Sequence, residues 1–63
     1  MHWLPVETKV DSEAVSGCYR IVRDRVEVEW NGATLALPYG AVRPPIAAAN
    51  VLRTLVRRSR QSA

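Results

Sequence analysis

Four arginines near the C-terminus are the residues whose type and spacing could carry chemistry. Arg53, Arg57 and Arg60 follow one another at intervals of four and three residues, and Arg58 flanks them. On a helix this spacing places the three guanidinium groups along one face, where they could meet successive phosphates. A solvated helix face whose arginines complement the negative C-terminal pole of the helix dipole has the same pattern, and we favour that interpretation slightly. The sequence therefore predicts a basic helix face and leaves its role open.

Residue types found in catalytic and metal sites are scarce. His2 is the single histidine and Cys18 the single cysteine, whereas a zinc site normally needs four protein ligands, or three and a water. A Cys–His nucleophilic pair also needs a third residue to orient the imidazole, and none is evident. Glu27 and Glu29 alternate beside arginines, as on a solvated sheet surface rather than in an acid–base pair. We therefore expect a non-enzymatic protein without catalytic residues, metal or cofactor.

A second set of candidate binding residues is aromatic. Trp3 lies near the N-terminus, and Tyr39 lies beside Pro38 and shortly before Pro44 and Pro45. Trp, Tyr and Arg are the residue types most enriched at interface hot spots. Alternatively, both side chains pack against the fold. For Trp3 we favour this interpretation, in which it covers the end of a sheet. For Tyr39, covering the start of a helix and binding a partner are equally compatible with the pattern. The candidate partner-binding residues are Arg53, Arg57, Arg58, Arg60, Tyr39 and Trp3.

Length, composition and charge limit the class of protein to which these residues can belong. The chain has 63 residues, of which 48% are hydrophobic and 24% charged, with a formal net charge of +3. Residues 1–45 contain five basic and six acidic residues and sum to −1, whereas residues 46–63 contain four arginines and no acid and sum to +4. This composition predicts one small folded domain over residues 1–63 and argues against a transmembrane span or a disulfide scaffold. With no targeting segment apparent and one cysteine, we expect a cytoplasmic protein.

The middle of the chain, residues 17–38, predicts a β-meander. Asn31-Gly32 is a dipeptide that type I′ turns favour, because both central positions need positive φ. A two-residue loop there sets three pairs on one sheet face: Trp30–Ala33, Val28–Leu35 and Val26–Leu37. An earlier two-residue loop at Arg23-Asp24 or Asp24-Arg25 would place Arg20 opposite Glu27 or Glu29 on the other face.

The flanking segments predict a C-terminal helix and a less certain N-terminal strand. Apolar residues recur at helical spacing within residues 44–60, and the predicted stripe is Ala48, Val51, Leu52, Leu55 and Val56, continued by Ser59. Residues 1–16 form a strand or an arm, since apolar and polar residues alternate from Leu4 to Asp11. Asp11 to Gly17 is then a polar connection, in which Ser12–Val15 could close one helical turn.

These elements together predict an α+β fold, a small antiparallel three- to four-stranded β-meander packed on one C-terminal α-helix. The sheet face of the predicted core consists of Tyr19, Ile21, Val26, Val28, Trp30, Leu35 and Leu37, with Ile46 near the start of the helix. A core of this size seldom supplies more than about 3–5 kcal/mol. We therefore expect a homodimer, formed through a sheet edge or the leftover apolar residues Trp3, Val15, Val22 and Val42.

The function expected from these features is binding by protein–protein contact. A small inhibitor or adaptor of a larger nucleoprotein complex, such as a phage- or plasmid-encoded inhibitor of host machinery, fits the size and the lack of catalytic groups. The alternative is direct nucleic-acid binding through the arginines of the helix. A membrane-surface role is not expected, because the apolar stripe of the helix lacks Trp and Phe and is needed for the core.

Overall fold

The computed structural model describes residues 2–61 and shows a four-stranded sheet covered by one helix. Within this range the elements are β1 (Leu4–Val10), β2 (Glu13–Val22), β3 (Arg25–Trp30), β4 (Ala33–Pro38) and α1 (Pro44–Gln61). The strands pair antiparallel in chain order, β1-β2-β3-β4, and α1 packs on one face of the sheet. The α+β fold class predicted from the sequence is confirmed, with the first strand present.

Two of the hairpin turns lie where the sequence predicts them. Asn31 and Gly32 have φ values of 53° and 81°, as a type I′ turn requires, and all three predicted residue pairs across this turn are confirmed. The loop between β2 and β3 is Arg23-Asp24, the first of the two predicted positions, and it places Arg20 opposite Glu27. Local turn chemistry therefore sets the register of β3 and β4, whereas the β2–β3 turn holds Arg23 at a φ of 59° although arginine has no preference for that conformation.

The predicted polar connection from Asp11 to Gly17 is wrong. β2 begins at Glu13, and Asp11 and Ser12 alone reverse the chain, with φ values of 52° and 69°. A left-handed backbone costs a non-glycine residue about 1–2 kcal/mol, and the ladder of seven residue pairs between β1 and β2 holds both residues in it. The possible helical turn at Ser12–Val15 is wrong for the same reason, because these residues lie in the turn and in β2.

The core lies between α1 and the sheet face that carries Val6, Val10, Tyr19, Val26 and Val28, all of which are buried. The predicted helix stripe is also buried, together with Ala47, whereas Ser59, at the end of that stripe, is exposed. Val15, predicted to be left over, instead packs against this core. Burial of branched aliphatic side chains on both surfaces is therefore what joins the two layers.

Three residues predicted to lie in the core are exposed: Ile21, Leu37 and Ile46. Ile21 and Leu37 are on the helix-facing side of the sheet, since both pair with the buried Val26. Outer strand axes of a four-stranded sheet lie about 14 Å apart, so a helix about 10 Å wide leaves part of the outer strand that carries Leu37 uncovered, whereas Ile21 is the second-last residue of the inner strand β2 and lies at the end of the sheet. Ile46 lies in the first turn of α1 at an angle that directs it away from the sheet, which explains its 56% exposure.

Gly17 occupies the closest approach between β2 and β3. It pairs with Val6, so a side chain at this position would point towards α1. A Cβ atom built there would lie 2.6 Å from the carbonyl oxygen of Glu29 and 3.5 Å from the side chain of Leu52. The packing of this part of the sheet therefore requires glycine.

Candidate functional site

The arginines predicted to form the basic helix face are divided between different roles. Arg53 donates hydrogen bonds to Oγ1 of Thr8 at 2.9 Å and to Oδ1 of Asn50 at 3.1 Å. Thr8 belongs to β1, so this guanidinium spans from the helix to the edge of the sheet. Arg53 is consequently half-buried and serves the packing of α1 on β1.

The end of the helix is held to the β1–β2 turn by charge. Arg60 forms ion pairs with Asp11 and with Glu13. Arg57 and Arg58 are exposed, and Arg57 forms no hydrogen bond or ion pair within residues 2–61. Because two of the three aligned arginines already have partners, an approaching phosphate would find Arg57 as the readily available member of the predicted row.

The sheet face opposite the helix carries a small polar and aromatic cluster. The guanidinium carbon of Arg20 lies 4.7 Å from the ring centroid of Trp3, and the same side chain forms an ion pair with Glu27. Trp3 lies over the sheet, as the preferred interpretation expects, but on the uncovered face and 39% exposed rather than buried. A cation–π contact at an exposed site contributes about 0.5–1 kcal/mol, so Trp3 has a local structural role.

Tyr39 fixes the connection between β4 and the helix. Its backbone N–H donates to the carbonyl oxygen of Asp24 at 3.2 Å, and its hydroxyl donates to the carbonyl oxygen of Arg23 at 3.4 Å. The ring is half-buried and packs against the core. Of the two interpretations of Tyr39, the geometry supports packing near the start of the helix.

Exposed apolar side chains are concentrated where the helix begins. Within residues 2–61 the exposed large aliphatic residues, which we call the apolar end, are Leu4, Ile21, Leu37, Val42 and Ile46. Leu4 pairs with Tyr19, two residues before Ile21, so Leu4, Ile21 and Leu37 lie on the helix-facing side at the same end of the sheet. Val42 and Ile46 come from the loop and the first helical turn beside them.

A shallow groove of about 170 Å³ adjoins the apolar end, between β4 and α1. Leu37 and Val42 contribute to its sheet and loop side, and its helix wall includes Ala47, Asn50 and Thr54. The lining is therefore mostly apolar, and its two polar side chains, Asn50 and Thr54, already form hydrogen bonds within the helix. A mostly apolar lining is typical of sites that accept an apolar side chain from a binding partner.

Sequence reasoning did not identify the apolar end, although it placed Val42 among the leftover residues. Periodicity assigns Ile21 and Leu37 to a buried face, because alternation reports which side of a strand a residue is on and not whether that side is covered. The signal that could have found Leu37 is the width of four strands compared with the width of one helix, whereas for Ile21, near the end of the inner strand β2, the signal is its position next to the predicted turn.

Three further observations concern metal binding, membrane spanning and similarity to known proteins. Across residues 2–61, no three His, Cys, Asp or Glu residues are grouped so that they could hold a metal ion. The helix in that range is not long and apolar enough to cross a membrane. No family model, curated protein or solved structure matches the chain.

Proposed function

We propose that this protein is a non-enzymatic binding protein that acts by contact with a protein partner, and that the apolar end is the contact surface. The observation that carries the proposal is the exposure of five aliphatic side chains, at 37–56%, near the end of the sheet where the helix begins, with Leu37 and Val42 lining one groove there. Contiguous exposed apolar patches on small soluble proteins mark interaction sites, whereas scattered exposed residues do not.

Positive charge borders the apolar end. The β2–β3 turn contributes Arg23, Asp24 and Arg25 at this end of the sheet, and Arg43 precedes the helix. All four residues are exposed, and their charges sum to +2. An apolar centre with a charged rim is the usual anatomy of a protein interface, and charge complementarity selects the partner. The partner surface that fits is apolar with acidic groups around it, as an inhibitor or adaptor of a nucleoprotein complex could meet.

Direct nucleic-acid binding through the helix is less well supported. For all three aligned arginines to bind phosphates, two would have to give up contacts within the chain. Arg53 would lose its hydrogen bond to Thr8, and Arg60 would lose its ion pairs with Asp11 and Glu13. Asp11 and Glu13 also place two negative charges beside the end of the helix. The geometry therefore favours a structural role for Arg53 and Arg60.

The proposal is tested with a variant of the apolar end, Val42→Asn combined with Ile46→Gln. Both side chains are more than two-fifths exposed, so the fold should persist. Tagged protein is used to recover partners from nuclease-treated extract of the source cells, and affinity is then measured with the purified partner. We expect the double variant to bind at least about tenfold more weakly, which corresponds to about 1.4 kcal/mol. Ala14→Gln, an exposed change on the opposite sheet face, is the control and should bind like the wild type.

A parallel titration with labelled duplex and single-stranded DNA and RNA tests the alternative. Phosphate contacts give an affinity that falls steeply as the salt concentration rises. We expect no such binding to DNA or RNA. Salt-dependent binding that is weakened by Arg57→Gln and unaffected by the double variant would overturn the proposal. Recovery of a partner protein that binds the double variant with wild-type affinity would equally contradict it.

A further inference from the structure

The two edges of the sheet differ in how they are protected from pairing with another strand. Each outer strand contains one proline, Pro5 in β1 and Pro38 in β4, but β1 also carries Glu7 and Lys9, charged residues of the kind that block an exposed edge. β4 has the sequence Ala-Thr-Leu-Ala-Leu-Pro and carries no charge along its whole length. An uncharged edge strand is a template for strand addition, so β4 is the edge on which a partner strand could pair.

The register identifies which backbone groups of β4 point outward. Hydrogen-bonded and non-hydrogen-bonded pairs alternate along an antiparallel ladder. The bond from the N–H of Tyr39 to the carbonyl oxygen of Asp24 fixes the phase of this alternation, so odd-numbered β4 residues bond to β3. Thr34 and Ala36 therefore direct their N–H and carbonyl groups away from the sheet. Pro38, which has no N–H group, directs its carbonyl group outward in the same way.

We propose that two copies of the chain pair antiparallel through β4, around a twofold axis at Ala36, to form an eight-stranded sheet. This proposal goes beyond the proposed function and does not depend on it. Pairing Ala36 with Ala36 of the second copy makes two backbone hydrogen bonds. The N–H of Thr34 on each side then meets the carbonyl group of Pro38 of the other copy, which adds two more. Every outward N–H group of β4 is thereby bonded.

The side chains agree with this register. On the helix-facing side Leu35 lies opposite Leu37 of the second copy, and this pairing covers Leu37, which is 37% exposed in the single chain. On the other side the two Ala36 methyl groups face each other without steric conflict. Like charges do not oppose one another, because β4 has none.

The same features argue that a second copy is the occupant and that assembly stops at two. Pro38 has no N–H group, which limits the ladder to the five residues from Thr34. The twofold pairing uses the uncharged edge of each copy and leaves β1, with its proline and charges, at both outer edges of the enlarged sheet. A twofold interface of this kind closes on itself and does not propagate into a fibre.

The first test compares Ala36→Lys with Ser16→Lys by light scattering of the purified full chain at micromolar concentration. Each change places a lysine opposite a glutamate on the uncovered sheet face, Glu27 and Glu7 respectively. In the dimer, Ala36→Lys also places two lysines directly opposite each other, which is unfavourable. We expect wild type and Ser16→Lys to have about twice the chain mass of 7.0 kDa, and Ala36→Lys to be a folded monomer by circular dichroism.

The second test fixes the register by disulfide cross-linking in a Cys18→Ser background. Hydrogen-bonded partners have Cα atoms about 5.5 Å apart, within the range that a disulfide spans. Ala36→Cys should therefore cross-link to the second copy on mild oxidation. Thr34→Cys should not, because the two equivalent positions are separated by about 13 Å along the strands.

A monomeric wild-type protein would overturn the proposal. So would a dimer that survives Ala36→Lys, or one that cross-links through position 34 and not through position 36. If Ala36→Lys does not fold, the cross-linking pair decides the question, because both cysteine variants change exposed or half-buried β4 residues conservatively. The dimer covers Leu37 of the apolar end, but the test of that surface uses Val42 and Ile46, which lie outside β4, so the two proposals can fail separately.

Discussion

At the scale of single residues, Gly17 is a position where the structure leaves no room for a side chain. The atom that a Cβ would meet is a backbone oxygen of Glu29, and a carbonyl group inside a sheet cannot move aside as the end of a flexible side chain can. Glycine normally weakens a strand. Its presence here shows that close approach of β2 and β3 outweighs strand propensity.

We expect Gly17→Ala to lower the free energy of unfolding by about 1–3 kcal/mol, the usual cost of overpacking. Ser16→Ala is the matched control, since Ser16 is the neighbouring residue on the exposed face and should change stability by less than about 0.5 kcal/mol. Urea unfolding followed by tryptophan fluorescence measures both. Equal stabilities of the two variants would show that the contact with Glu29 relaxes without cost.

At the scale of elements, apolar burial and ion pairs both join α1 to the sheet, but with unequal weight. Leu52 is fully buried, whereas the Arg60 side chain is 40% exposed. Deleting a buried leucine side chain removes its burial energy and leaves a cavity. An ion pair at a solvated site gains little, because water and salt screen it.

We expect Leu52→Ala to cost about 2–5 kcal/mol, enough to unfold most of a protein whose core supplies about 3–5 kcal/mol. Arg60→Gln should cost less than about 1 kcal/mol, and this cost should shrink in high salt. Thermal unfolding followed by circular dichroism, at low and high salt, separates the two effects. An Arg60 variant as unstable as Leu52→Ala would contradict this ranking.

The turns show why the elements were predictable to different degrees. Asn31-Gly32 has an intrinsic preference for the backbone it adopts, so two residues were enough to set the register of β3 and β4. Asp11-Ser12 adopts a comparable positive-φ conformation without glycine, held there by the long ladder on either side. A turn imposed by its strands leaves no local signal, and the start of β2 was missed for that reason.

At the scale of the whole molecule, the candidate site depends on how layers fit together. The helix stripe and the sheet face were predicted from periodicity, and most of their residues lie in or against the core, whereas Ile21, Leu37 and Ser59 are exposed. The apolar end has more than one origin: one helix is narrower than four strands, which leaves the outer strands partly uncovered, Ile21 lies near the end of the inner strand β2, and Val42 and Ile46 lie outside the sheet. The arginines were predicted on the correct face of α1, yet their contacts with Thr8, Asp11 and Glu13 depend on where the β1–β2 turn lies.

The contacts between α1 and β1 also determine how the chain can reach this structure. The hydrogen bonds from Arg53 to Thr8 and from Arg60 to Asp11 join residues 45 and 49 positions apart, whereas each hairpin closes a two-residue loop. Closing the longer loop costs roughly 3 kcal/mol more in chain entropy. We therefore expect the hairpins to form early and the docking of β1 against α1 to come after the rate-limiting step.

Stopped-flow kinetics in the monomeric Ala36→Lys background measures this order. Val6→Ala, in buried β1, should mainly raise the unfolding rate, whereas Val28→Ala, in buried β3, should mainly lower the folding rate. A slower folding rate for Val6→Ala would place β1 in the folding nucleus instead. With the expected result, the contact between α1 and the β1–β2 hairpin forms last and is also the first to open when the native protein unfolds.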